Sequence, residues 1–165
     1  HGIHVPWVNS AEEVEAVVRS VKYGPRGIRG LAGIRAAEWG LNESMAEYTE
    51  RANRETLVVV HVETAEAVAD VHRFVEVDGL DVVFLGPTDL SHSLGVPGQT
   101  DHPKVVEAME HVADVVTASN KTFGIMVHTI EKTNYWRERG ARYMAIGSDT
   151  LLHNGVQTYL SGVRG

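Results

Sequence analysis

The sequence predicts an α/β fold built on a parallel sheet. Three observations lead to it. Short β-branched runs alternate with helical apolar patterns along the whole chain, about five times over. No linker, recurrent repeat or low-complexity stretch interrupts the alternation, so one domain over residues 1–165 is expected. Two acidic residues, Glu63 and Asp89, each follow directly on such a run, where a buried strand ends and a helix begins. Five parallel strands suit either a small doubly wound sheet or part of a barrel, and composition does not choose between them.

The elements follow in order. Residues 3–8 form a short β-rich run. Ser10 and Glu13 have the Ser-x-x-Glu spacing of a capping box, and Val14, Val17, Val18 and Val21 recur at helical spacing behind them. Residues 23–30 are dense in Gly and Pro and read as a structured loop, with a less regular helix over about 43–54. The stretch 57–62, Leu-Val-Val-Val-His-Val, is the clearest buried strand; Thr64 is placed to cap a helix carrying Val68, Val71 and Val75. The strand 81–85 runs into a loop over 86–98. Asp101-His-Pro103 is a helix entry with Pro at the first position, followed by the stripe Val105, Met109, Val112, Val116. A strand at 123–127, a helix from Thr129 to about Glu138 ended by Gly140, a strand at 143–146 and a final helix capped by Ser148 complete the chain.

The bulk numbers exclude several classes. The chain has 165 residues, 43% hydrophobic and 22% charged, as in ordinary globular proteins. A net charge of −7 with scattered basic residues argues against nucleic acid and anionic membrane as partners. There is no cysteine, so disulfides and thiolate metal sites are excluded and a reducing, cytoplasmic setting is allowed. No apolar stretch reaches the roughly 20 residues that span a bilayer, and the first residues lack the regions of a signal peptide. The chain opens without Met and almost directly into a strand pattern, as though its beginning were missing.

In a parallel barrel the strand ends carrying Glu63 and Asp89 converge on one rim, where chemistry is done. Two carboxylates there repel unless a cation or proton lies between them. A hard divalent metal is the natural partner, because Mg²⁺ takes one or two protein carboxylates and leaves its other positions to water and substrate.

Five ordered phrases sharpen this: Gly2-Ile-His-Val-Pro-Trp-Val8, Lys22-Tyr-Gly-Pro-Arg-Gly-Ile-Arg-Gly30, Val62-Glu-Thr-Ala65, Phe84-Leu-Gly-Pro-Thr-Asp-Leu-Ser91 and Ala145-Ile-Gly-Ser-Asp149. Together they resemble the HpcH/HpaI family of class II, metal-dependent pyruvate aldolases, over essentially the whole chain. Such proteins are (β/α)8 TIM barrels of about 250 residues, so the resemblance makes 3–8 strand four and 143–146 strand eight, with about three earlier βα units lacking a counterpart here. It implies metal ligation by Glu63 and Asp89, with Mg²⁺, Mn²⁺ or Co²⁺ as the ion, and a substrate carboxylate received by backbone amides around Thr88 and Asp89. It also implies a substrate-side role for His61, which stands where the family usually has Gln. The physics agrees: Gly86 and Pro87 shape a turn that lets backbone approach a ligand, and the amides that follow open a short helix favouring an anion.

The reaction implied is cleavage or formation of 4-hydroxy-2-oxo acids, to or from pyruvate and an aldehyde. The family's His base and the Arg that polarises the substrate lie on early strands with no counterpart here, so none of the residues present is assigned as catalytic. A positioned base contributes about 10²–10⁴-fold, and little or no activity is expected of this polypeptide alone. Two alternatives stand beside it: a CoA-ester lyase of the citrate lyase beta or malyl-CoA type, and a non-catalytic partial barrel that needs a partner chain. A homo-oligomer, a hexamer by the resemblance, or a complementing N-terminal segment is the expected partner. Arg26 and Arg29 more naturally tie their loop to carboxylates than hold substrate, His128 and Trp7 suit packing or surface, and Asp149 suits a first-turn acid.

Overall fold

The computed structural model describes residues 1–164. Its five strands, β1 (Gly2–Val5), β2 (Leu57–Val62), β3 (Val82–Leu85), β4 (Thr122–Met126) and β5 (Tyr143–Ala145), form one parallel sheet in chain order. Sequential parallel strands joined by helices curl into a half-barrel, as expected. The helices are α1 (Ala11–Val21), α2 (Met45–Glu55), α3 (Ala65–Phe74), α4 (Pro87–Ser93), α5 (Pro103–Thr117), α6 (Ile130–Glu138) and α7 (Ser148–Arg164). No helix among the described residues is long and apolar enough to cross a membrane.

Alternation along the strands divides the sheet into two faces. Val58, Val60, Val62, Val83, Leu85, Phe123 and Ile125 point outward and are fully buried against α1, α3, α5 and α6 through Val14, Val71, Phe74, Val105, Val112, Val116 and Trp136. Each such side chain contributes about 1.5–3 kcal/mol by leaving water, so this face anchors the sheet. The opposite, concave face carries a smaller cluster of Val59, Val82 and Phe84, with Met126, Tyr143 and Ala145 beside it. Register aligns His61, Phe84, Gly124 and Tyr143 across four strands, and His4 pairs with Val59 on the same face.

Local details refine the sequence expectations. β1 stops at Val5 rather than at residue 8, because Pro6 has no N–H to give the ladder and Trp7 takes a left-handed φ of 57°. Ser10 caps α1, but Glu13 returns its carboxylate to the Asn9 amide (2.7 Å) instead of to Ser10. Ser44 and Glu47 form the complete capping box, and it starts α2. Thr64 and Thr129 cap α3 and α6. α3 ends at Phe74, so Val75 is its C-cap and not a helical core position. His102 caps α5 ahead of Pro103, as that helix entry implied, and Asp101 pairs with Lys132. The 86–98 stretch contains the seven-residue α4. Ser148 is the first residue of α7 rather than its cap, and Leu152, Val156, Tyr159 and Val163 on that helix stay exposed.

Candidate active site

The C-terminal ends of β2 and β3 meet around one carboxylate. Glu63 follows β2 directly and is only 5% exposed. Its Oε2 accepts the Trp7 amide at 3.1 Å, and its Oε1 lies 2.9 Å from His61 Nδ1. His61 shares the concave face two residues before it, where the pleat directs both side chains. Burial pushes the Glu63 carboxyl upward, but the His61 hydrogen bond, the Trp7 amide and the His61 charge outweigh it, and the group sits below the ordinary glutamate value. Glu63 is therefore an ionised, oriented anion at neutral pH.

Gly86 closes the site from the next strand. A Cβ there would lie 2.6 Å from Glu63 Oε1 and 2.7 Å from its Cγ, so the β3–α4 turn rests directly on the carboxylate and only glycine fits. The turn then starts α4 at Pro87 with no side-chain cap, leaving first-turn amides without intrahelical partners. Ser91 is fully buried; its hydroxyl donates to the Thr88 carbonyl (2.6 Å) and accepts from the Gly98 amide (2.9 Å), fixing the short helix.

The loop after β1 is fastened to the same rim. Asn9 donates from Nδ2 to the Trp7 carbonyl (3.1 Å), and the Thr64 hydroxyl donates to Asn9 Oδ1 (2.5 Å). These bonds hold Trp7 in a conformation that disfavours non-glycine residues by about 1–2 kcal/mol, with its amide aimed at Glu63. Such strain gathers at functional sites.

Sequence reasoning missed two residues on this face. His4 Nδ1 lies 2.8 Å from His61 Nε2, and His4 Nε2 lies 2.9 Å from the Tyr143 hydroxyl. His4 and Tyr143 meet the Phe84 ring edgewise, with centroids 5.3 and 6.1 Å away, and His61 lies tilted against it at 4.9 Å. Burial, and secondarily His61, hold His4 below the usual imidazole value, so it is neutral at pH 7. The available signal was strand parity, which required the sheet register.

Of the singled-out residues, Glu63 and His61 are in direct contact. Thr88 and Asp89 are exposed in the first turn of α4, and no hydrogen bond or ion pair among the described residues joins the Asp89 side chain to them. No group of three or more His, Asp or Glu side chains among the described residues is placed to hold a metal. The donor types are those a hard dication takes: one buried ionised carboxylate and a second, exposed one on the adjoining turn. Arg26 pairs with Asp78 at 3.2 Å and Arg29 stacks 4.5 Å over Tyr23, so both tie down their loop.

A half-barrel of parallel strands with an ionised glutamate on the C-terminal rim defines the fold class, that of the (β/α)8 barrels. The family profile for HpcH/HpaI aldolase/citrate lyase matches residues 1–154, and the chain belongs to that family. It is 40% identical over 148 residues to 4-hydroxy-2-oxovalerate aldolase of Rhodococcus jostii strain RHA1, covering 90% of this chain and 56% of that protein. It is 36% identical over 150 residues to 4-hydroxy-2-oxo-heptane-1,7-dioate aldolase of Escherichia coli strain ATCC 8739, with the same coverage. An HpcH/HpaI aldolase/citrate lyase family protein from Burkholderia cenocepacia J2315 superposes with a TM-score of 0.92 at 30% identity, over 99% of this chain and 65% of that one. The chain spans a little over half the length of the curated relatives it matches.

Proposed function

We propose that this chain supplies the carboxylate side of the active site of a metal-dependent aldolase, which cleaves or forms 4-hydroxy-2-oxo acids to or from pyruvate and an aldehyde. The observation that carries this is Glu63: buried, ionised, oriented by His61 and the Trp7 amide, and seated against a Gly-Pro-Thr-Asp turn. The names of the relatives, both 4-hydroxy-2-oxo acid aldolases, support the substrate class.

Glu63 and Asp89 would hold the dication, Mg²⁺, Mn²⁺ or Co²⁺, which supplies Lewis-acid stabilisation of negative charge on a keto-acid oxygen. The chain's own residues bind and orient. The uncapped amides at Thr88 and Asp89 receive the substrate carboxylate, aided by the partial positive charge of a helix start. His61 fixes the Glu63 carboxylate and walls the concave face on which the keto acid lies, with Phe84 excluding water beneath. The proton-transfer base and the polarising arginine belong, by the family resemblance, to strands outside these residues, and none of the residues here is assigned either role.

The test is Mn²⁺ binding followed by electron paramagnetic resonance, with and without pyruvate. Wild-type protein should bind Mn²⁺, and pyruvate should alter the signal; Glu63→Gln and Asp89→Asn should each abolish binding. Binding that survives both substitutions would remove the basis of the assignment.

A further inference from the structure

We propose that Asn9 is a positioning residue for the rim carboxylate: by holding Trp7 in its left-handed conformation, it keeps the Trp7 amide on Glu63 and so keeps Glu63 oriented for a cation. The proposal rests on the proposed role of Glu63 as a metal ligand. Among the described residues Asn9 makes no hydrogen bond to Glu63; it acts through the main chain of Trp7.

Hydrogen-bond chemistry allows the Asn9 amide only one orientation. The Trp7 carbonyl, 3.1 Å away, accepts and cannot donate, so it must face Asn9 Nδ2. The other end, Oδ1, takes the Thr64 hydroxyl proton at 2.5 Å. Thr64 is only 2% exposed, and its hydroxyl also accepts the Ala67 amide at 3.1 Å as the cap of α3. A flipped amide would set two carbonyl oxygens against each other. Thr64 follows Glu63 directly, so the residue that anchors Asn9 belongs to the turn that carries the carboxylate.

Both peptide units flanking Trp7 are therefore pinned. Its N–H lies on Glu63 Oε2 at 3.1 Å and its carbonyl on Asn9 Nδ2, with φ 57° between them. A residue with a Cβ is crowded in this region and returns to negative φ once either end is released. That rotation turns the N–H away from the carboxylate. Among the described residues only Asn9 holds the carbonyl end. The rest of the loop has its own anchors, since the Asn9 amide donates to Glu13 Oε2 at 2.7 Å and the Ala11 amide to Asp70 Oδ2 at 2.8 Å. Removing the Asn9 side chain frees the Trp7 peptide without freeing the loop.

A metal carboxylate is sensitive to such a release. Glu63 carries one bond on each oxygen, Trp7 on Oε2 and His61 on Oε1. Two bonds fix the plane of the carboxylate, whereas one leaves it a pivot. Hydrogen-bond partners of ligating carboxylates hold the ligand's direction, and losing one lowers metal affinity about ten- to a hundredfold. Asn9 stands one step further out. Its loss reaches Glu63 through relaxation of the strained residue between them.

Isothermal titration with Mn²⁺ measures the affinity, and ¹H–¹⁵N spectra of the metal-free protein follow the Trp7 backbone amide. Asn9→Ala, and Asn9→Leu, which keeps the bulk but has no donor, should each bind Mn²⁺ about ten- to a hundredfold more weakly. In both, the Trp7 amide resonance should move and its exchange with solvent should quicken. Asn9→Ala/Trp7→Gly should regain most of the lost affinity, because glycine takes φ 57° as readily as a negative φ and needs no latch. That rescue separates a released backbone from a loosened fold, which added glycine would only worsen. Ser44→Ala, which removes the cap of α2, should lower stability and leave Mn²⁺ affinity unchanged. Wild-type affinity in both folded Asn9 variants, a loss that Trp7→Gly does not recover, or an equal loss in Ser44→Ala would overturn the positioning role while leaving the carboxylate site intact. An unmoved Trp7 amide in Asn9→Ala would do the same with no metal present. Wild-type protein that binds no Mn²⁺, or whose binding survives Glu63→Gln, would overturn the metal reading and this inference with it.

Discussion

Gly86→Ala probes most directly whether the rim is as tightly built as its contacts imply. The new methyl would stand 2.6 Å from Glu63 Oε1, 2.7 Å from Cγ and 3.1 Å from Cδ. Glu63 has no free direction of retreat, since Oε2 holds the Trp7 amide at 3.1 Å and Oε1 faces His61 at 2.9 Å. If the carboxylate swings away, hydrogen bonds to a charged group worth about 1.5–3 kcal/mol each are lost. If the turn moves instead, an extra methyl in a packed site costs about 1–3 kcal/mol. The cheaper escape sets the result, so a loss of about 2 kcal/mol is expected, with Tm lowered by about 4–8 °C for a chain of this size. Gly155→Ala is the control: it lies in α7 with nothing within 4 Å of the added methyl, and it should stabilise by about 0.5–1 kcal/mol. Urea unfolding followed by circular dichroism measures both, and Mn²⁺ affinity should fall only in Gly86→Ala. A Gly86→Ala protein with wild-type midpoint and wild-type Mn²⁺ affinity would refute the packed rim.

Other outcomes follow from the same contacts. Trp7→Gly should stay within about 1 kcal/mol of wild type, because relief of the left-handed backbone offsets the flexibility glycine adds, whereas Trp7→Val should be less stable than wild type, because a β-branched residue suits φ 57° worse than tryptophan does; thermal unfolding separates them. Ser91→Ala should lose about 1–3 kcal/mol, since it strands the Thr88 carbonyl and the Gly98 amide, and urea midpoints test it. Glu63 has a folded pKa below its unfolded one, so its contribution is present above the unfolded value near 4.5 and is lost as pH falls through the lower folded value. Urea midpoints between pH 7 and 3 should therefore fall more steeply in wild type than in Glu63→Gln; parallel curves would contradict the shift.

The parts of this fold that sequence made legible were those governed by local chemistry. The run 57–62 followed by Glu63 and Thr64 declared a strand, a rim residue and a helix cap within eight positions, and the structure has all of these elements. Thr129 and Gly140 likewise bounded α6 because caps and left-handed glycines act over one turn. What stayed hidden needed distant chain. Nothing in Pro6-Trp7 announces a left-handed tryptophan, because that conformation is imposed by Asn9 and Glu63 across the rim. The short α4 lay inside a Gly/Pro-rich stretch, with Pro87 at its first position the only local mark. His61 was legible as the neighbour of Glu63 through the two-residue strand period. His4 and Tyr143 were not, since their meeting depends on register and curl over the full width of the sheet.

That width links the fold to the site. The interior of a parallel barrel is filled by layers of side chains from several strands, and those layers usually do no more than pack. Here one layer is Phe84 ringed by His4, His61 and Tyr143, with polar tips joined around an apolar centre. Phe84 is buried, Gly124 beside it gives way, and the ring edges have room to turn their nitrogens and hydroxyl toward one another. The curl of the sheet brings these four side chains, from β1, β2, β3 and β5, into one layer. Glu63 is joined to this layer through His61.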